Sequence, residues 1–167
     1  GYGAMRLLPL IDWQLIRQYP KPFIGFSDAT ALMQVLIDRC RHPVIHGPTV
    51  SFLTEAEPST LESLTALLTD VTGTGSLNVG KMIVAPMSGQ AVSGILKGGN
   101  LSTLSHLIGT RYVPDLKGAV LFIEDVNEPA YKIDRMLTQM KLTGLFAGVL
   151  AVIAGSFTGS DFPDYID

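Results

Sequence analysis

The sequence predicts an α/β protein of two units, and three observations carry that expectation. Short apolar runs alternate with segments whose apolar residues recur at helical spacing. Glycine and proline clusters punctuate them. With 47% hydrophobic and only 16% charged residues among 167, the chain has apolar surface for one core or two small ones. The expected architecture is the end of a parallel-sheet domain joined to a mixed-sheet second domain, both incomplete.

The first unit opens GYGAMRLLPLID, with glycines of the tight-loop kind and no initiator methionine, so the chain is expected to be cut from a longer one. Residues 12 to 19 suggest a short helix and Pro22 to Phe26 a strand. A helix over 28–40 follows, with Ala29, Leu32, Val35, Leu36 and Cys40 on its apolar face. His42 to Ile45 then reads as a strand ending at HGP, which completes a β-α-β unit. Pro58 to Thr69 has a helical start, PSTLE, where Ser59 or Thr60 can cap and Glu62 can complete the turn. TGTGSLN breaks the pattern. We therefore expect residues 1–55 in one domain, a helical linker over 56–80 and a second domain over 81–167. In that second part KMIVAPM, QAVSGILKGG, GAVLFIEDV and GVLAVIAG supply strands. Two helices lie between them, Asn100 to Gly109 and Tyr131 to Leu142, the latter with Ile133, Met136, Leu137 and Met140 on a core-facing side. SFTGSDFPDYID reads as a turn-rich exit.

Twelve basic and fifteen acidic residues give a net charge of −3 with no basic run. That argues against nucleic acid or an anionic membrane surface as partner. The single cysteine, Cys40, cannot form an internal disulfide and suits a reducing compartment. No apolar run has the length of a membrane span, so a soluble, cytoplasmic protein is expected.

The chemistry centres on Gly25-Phe26-Ser27-Asp28-Ala29, where a strand turns into a helix. Two readings of Ser27 stand side by side. A serine here can cap orphaned N–H groups. The small-x-Ser-x-small pattern also fits a nucleophile elbow, with Ala29 in place of the usual glycine. In the second reading the helix N-terminus and the Asp28 N–H can stabilise an oxyanion, and Gly3 of the GYG loop can donate a second N–H. A nucleophilic serine needs a base. His42 and His106 read as surface or structural residues. His46 closes the strand beside that of Ser27 and is a candidate base or a buried, hydrogen-bonded histidine. Glu124 ends the strand AVLFI, where α/β proteins place functional groups, and equally fits a solvated turn. Three acids in five residues on one turn do not make a metal site.

In order, GYGAMRLLPLID, KPFIGFSDATAL, HGP, LKGGNLSTLSHLIGT and FIEDVNEPAYKIDRML together resemble the LD-carboxypeptidase family of serine peptidases, from residue 1 to about residue 157. The resemblance implies that Ser27, in the G-[YF]-S-D turn, is the nucleophile of an α/β nucleophile domain. It implies that Glu124 orients a catalytic histidine, in a Ser-Glu-His triad. The family's histidine lies farther on, in sequence this chain does not contain, so the chain alone is expected to be nearly inactive. The implied substrate is a murein tetrapeptide that loses a terminal D-alanine from an L-centre during cell-wall recycling, without metal or cofactor. Gly99 and Asn100, in GGN before a helix, are candidates to receive a substrate carboxylate through backbone N–H groups. Arg6 and Arg135 are weaker candidates, with a surface pair as the alternative. A homodimer is expected of the full-length enzyme. The rival readings are a related branch that hydrolyses a peptide–nucleotide antibiotic, and a non-catalytic fragment that binds a peptide or mediates dimer contacts.

Overall fold

A computed structural model describes residues 2–69, 83–86 and 91–161. Helix α1 (Ala4–Leu7) and helix α2 (Trp13–Gln18) come first. The Asp12 carboxylate caps α2 by accepting from the Gln14 and Leu15 amides, both at 3.0 Å, as a short acidic side chain does at a helix start. Strand β1 (Ile24–Gly25) leads through a single 3-10 turn, Ser27–Ala29, into helix α3 (Thr30–Cys40). Strand β2 (Ile45–His46) returns parallel to β1, with Gly25 beside His46. This is the expected β-α-β unit, but β2 begins at Ile45 instead of His42. Pro43 lacks the amide a ladder needs, and Arg41 ends α3 in the left-handed region, with φ 53°.

Helix α4 (Pro58–Thr69) has the expected bounds. Its start differs: the Thr60 and Leu61 amides bond to the Glu57 carbonyl, so Ser59 and Thr60 lie inside the first turn and neither caps it. Pro58 takes the first helical position, where its missing N–H costs nothing. The boundary expected around TGTGSLN lies outside the described residues, as does the chain beyond residue 161.

The second unit is a four-stranded mixed sheet built from β3 (Ile83–Pro86), β4 (Ile95–Asn100), β5 (Ala119–Val126) and β6 (Ala151–Thr158). The order is β3-β6-β5-β4, parallel except where β3 runs against β6. Helix α5 (Leu101–Leu107) joins β4 to β5, and helix α6 (Ala130–Leu142) joins β5 to β6. β6 continues through Ser156 and Phe157, where the sequence predicts a turn-rich exit.

Burial alternates along β5. Leu121, Ile123 and Asp125 are buried while Phe122 and Glu124 between them are half-buried, the period-two signature of a strand with two different faces. Leu121 and Ile123 pack with Leu101, Leu104, Leu116, Ile133, Met140 and Val149 in the main core. Met136 and Leu137 lie against it, so all four residues expected on the inner side of α6 contribute.

Helix α3 joins the two units. Ala31 and Val35 share a cluster with Ala4, Leu8 and Leu107. On another side, Gln34 Nε2 donates to the Gly98 carbonyl at 2.7 Å and Gln34 Oε1 accepts the Gly98 amide at 3.3 Å. The Thr30 hydroxyl accepts the Asn100 amide at 3.0 Å. Buried Thr30 and Gln34 therefore serve as polar clamps on β4, and their desolvation is offset by hydrogen bonds.

Candidate active site

Ser27 has φ 56°, the left-handed region, which costs a residue with a Cβ roughly 1–2 kcal/mol. The reason lies on either side of it. Phe26 is extended, with φ −151°, and the chain turns at once into the 3-10 bend, whose Ala29 amide bonds to the Phe26 carbonyl. No side-chain hydrogen bond caps that bend or α3. The serine is held on a tight bend without performing the capping task. Gly25 is required by close approach: a Cβ there would lie 2.8 Å from the Ala29 Cβ. That contact explains in steric terms why small residues flank the serine at both positions.

The start of α1 reaches this bend. The Ala4 amide donates to Asp28 Oδ2 at 2.7 Å, and Gly3 before it has φ 112°. Gly3 and Asp28, the two candidate oxyanion donors, thus belong to loops tied together by one charge-assisted hydrogen bond.

The second unit brings Glu124, Gly99 and Asn100 to the same end. Ser27, His46, Asn100 and Glu124 all stand at or just beyond the C-terminal ends of parallel strands, the usual location of an α/β site. Asn100 pairs in register with Glu124, and the bond from its amide to Thr30 places it one helical turn from Ser27. Asn100 is otherwise engaged internally. Its Oδ1 accepts the Thr103 amide and hydroxyl at 3.0 and 2.9 Å, and its Nδ2 donates to Asp125 Oδ1 at 2.9 Å. Asp125, only 3% exposed, also accepts the Ser102 amide and hydroxyl, at 2.9 and 2.7 Å, and the Val126 amide at 2.9 Å. A buried carboxylate against the first turn of α5 suits both the orphaned amides and the helix dipole. From sequence Asp125 belongs to an acidic turn; the local signal for its network is the N-x-x-T cap in Asn100-Leu101-Ser102-Thr103.

Gly99, with φ 137°, is the second glycine that close approach requires. A Cβ there would meet Thr30 Oγ1 at 2.6 Å and His46 Cδ2 at 3.3 Å. His46 faces Glu124, with Nε2 3.7 Å from Oε1. Both atoms are buried, and neither has a hydrogen-bond partner among the described residues, a condition that costs about 1–3 kcal/mol per group. The His46 ring stands edge-on to Phe122, with centroids 5.2 Å apart.

The remaining candidates lie elsewhere. The His42 ring bonds to the Lys21 carbonyl, and His106 is exposed on α5. Arg6 lies over Tyr2 and Arg135 over Tyr131, at 5.0 and 5.4 Å, so each stacks on a nearby tyrosine. Among the described residues no three His, Cys, Asp or Glu side chains gather as a metal site, and no helix is long and apolar enough to cross a membrane. A cavity of about 800 Å³ opens at the opposite end of α3 and β4, lined by Arg39, Arg41, Ile95 and Lys97 among others. Neither Ser27 nor Glu124 lines it.

Comparison with known proteins bears on the family and the fold. Residues 1–47 match the LD-carboxypeptidase N-terminal domain and residues 93–165 the LD-carboxypeptidase C-terminal domain. A Bacillus subtilis protein named a probable murein peptide carboxypeptidase is 37% identical over 162 residues, covering 94% of this chain and 50% of its own. The muramoyltetrapeptide carboxypeptidase of Oxalobacter formigenes superposes with a TM-score of 0.77 at 30% identity, over 99% of this chain and 56% of its own. MccF in complex with glutamyl sulfamoyl guanosine gives 0.85 at 26% identity, over 100% and 58%. The chain spans about half the length of the curated relatives it matches.

Proposed function

Because the chain belongs to the LD-carboxypeptidase family, we propose that it carries the nucleophile and the orienting carboxylate of a serine carboxypeptidase. The substrate is a murein tetrapeptide, from which a terminal D-alanine is released at an L-centre. The observation that carries this reading is the left-handed Ser27 on a glycine-backed elbow, at the same end of the sheets as Glu124.

Ser27 Oγ attacks the carbonyl before the D-alanine, forming a C–O bond. Its proton passes to an imidazole, and from there to the leaving amine as the C–N bond breaks. The Asp28 and Gly3 amides receive the oxyanion. Water then cleaves the acyl-serine ester. Glu124 holds the imidazole in its productive tautomer. By the family resemblance that histidine belongs to sequence after residue 167, so residues 1–167 alone turn over substrate only at the residual rate of an incomplete triad. Of the two GGN candidates for the substrate carboxylate, the Asn100 amide is already given to the Thr30 hydroxyl, which leaves Gly99. In this reading residues 1–55 are the end of the nucleophile domain, 56–80 the linker and 81–167 the start of the second domain. The intact enzyme is a cytoplasmic homodimer in cell-wall recycling, without cofactor.

A second reading rests on the TM-score of 0.85 to MccF: a related serine peptidase that hydrolyses a peptide–nucleotide antibiotic. One assay separates them. The full-length protein containing this sequence is given murein tetrapeptide and, in parallel, an aminoacyl sulfamoyl nucleoside. Release of D-alanine that Ser27→Ala abolishes supports the carboxypeptidase; hydrolysis of the nucleoside conjugate alone transfers the assignment to the second reading. Turnover of neither, with no labelling of Ser27 by a phosphonate, leaves a peptide-binding or dimerisation module and overturns both.

A further inference from the structure

We propose that His46 is a positioning residue that fixes the Glu124 carboxylate, an inference that rests on Glu124 orienting the imidazole which serves Ser27. The two side chains come from different units, His46 from the end of β2 and Glu124 from the end of β5. Yet His46 Nε2 and Glu124 Oε1 face each other at 3.7 Å, each buried and each without another partner among the described residues. An N–H donor and a carboxylate oxygen placed so need only a slight closure to form a hydrogen bond. Bonds of this kind are often long in an unliganded site and tighten when the site is engaged.

The surroundings are shaped for that approach. The His46 ring is held edge-on by Phe122, two residues before Glu124 on the same face of β5. Gly99 leaves room on one side, since a Cβ there would lie 3.3 Å from His46 Cδ2. Gly155 leaves room on another, since its Cβ would meet Phe122 Cε2 at 2.9 Å and Glu124 Cβ at 3.4 Å. Two glycines from neighbouring strands thus open space for one histidine and one glutamate.

A carboxylate has two oxygens and rotates about its terminal bond unless one of them is held. With Oε1 held by His46, Oε2 points in one direction, and an imidazole bonded there is aligned without further adjustment. His46 acts on the reaction only through Glu124. Its Nε2 is committed to that carboxylate and does not serve as the base for Ser27.

The test uses two variants in the full-length protein. His46→Phe keeps the ring and its contact with Phe122 but removes the donor. His46→Gln places an amide N–H near the position of Nε2. On murein tetrapeptide, His46→Phe is expected to lower kcat about tenfold to a hundredfold with KM unchanged, and His46→Gln to recover most of the loss. Equal loss in both variants, or loss in KM alone, overturns the assignment. Should His46→Phe fail to fold, imidazole ¹⁵N spectra of the wild type and of Glu124→Gln decide the matter. The His46 Nε2 resonance moves while those of His42 and His106 stay in place; an unmoved His46 resonance refutes the pairing. If the wild type releases no D-alanine, the carboxypeptidase reading fails, and the same spectra still settle whether His46 holds Glu124.

Discussion

The Asp28 carboxylate accepts the Ala4 amide at 2.7 Å, so the residue after Ser27 is anchored to the N-terminus of α1. The bond spans two loops and is partly buried. Asp28→Ala should lower stability by about 1–3 kcal/mol, the cost of leaving that amide without its acceptor. Asp28→Asn, which keeps a side-chain oxygen, should lose less. Urea denaturation of the three proteins measures the difference, and equal midpoints for wild type and Asp28→Ala would show that the anchor is dispensable.

The backbone at Ser27 makes a prediction of opposite sign. At φ 56° glycine is relieved of the clash that any Cβ suffers, although it loses more entropy on folding. Ser27→Gly should therefore be about 1 kcal/mol more stable than Ser27→Ala. Both should resist a serine-directed phosphonate. Thermal melts of the pair isolate the strain, because neither variant has the hydroxyl.

Asp125 closes a network rather than decorating a turn. Replacing it with alanine orphans Asn100 Nδ2 and the Ser102 amide together, and a loss of about 3 kcal/mol or more is expected. Asp125→Asn should lose less, since one oxygen remains. Amide hydrogen exchange offers a local readout: protection of Ser102 and Thr103 should fall in Asp125→Ala before that of β6.

Cys40 predicts a pH dependence. Burial pushes its thiol up, against the lowering pull of Arg17 and Arg39. The unfolded chain then releases its thiol proton at a lower pH than the native one. Cys40 contributes its full share of stability below the ordinary thiol range, and that share is lost as pH rises above about 8.5. Between pH 7 and 9.5 the wild type should lose more stability than Cys40→Ala. Iodoacetamide should also alkylate the native thiol far more slowly than the urea-unfolded one.

Much of the fold was legible because its signals are local. The bounds of α4 from Pro58 to Thr69, the apolar period of α6 and the apolar run AVLFI each depend on residues within a few positions of one another. The Gly-x-Ser-x-Ala turn and the strand-end glutamate were legible for the same reason. The extension of β6 was not: Ser156 and Phe157 open a segment rich in turn residues, and the strand nevertheless runs on to Thr158, past a Gly155 that the Phe122 ring explains. The start of β2 is legible only in part: Pro43 argues against a strand at His42, but no residue type announces that Arg41 ends α3 in the left-handed region. The bonds from Gln34 to Gly98, Asp28 to Ala4 and Asn100 to Asp125 join segments far apart in sequence. Residue type alone leaves each of these side chains with many possible partners.

The clamp of Gln34 on Gly98 gives the molecule an indirect point of control. It lies on the seam between α3 and β4, with Thr30 and Asn100 at one end of that seam and the cavity bordered by Arg39 and Lys97 at the other. The elbow is continuous with α3, and Glu124 is paired to the strand that α3 grips. Any change that loosens this clamp therefore bears on the spacing of nucleophile and carboxylate without touching either side chain.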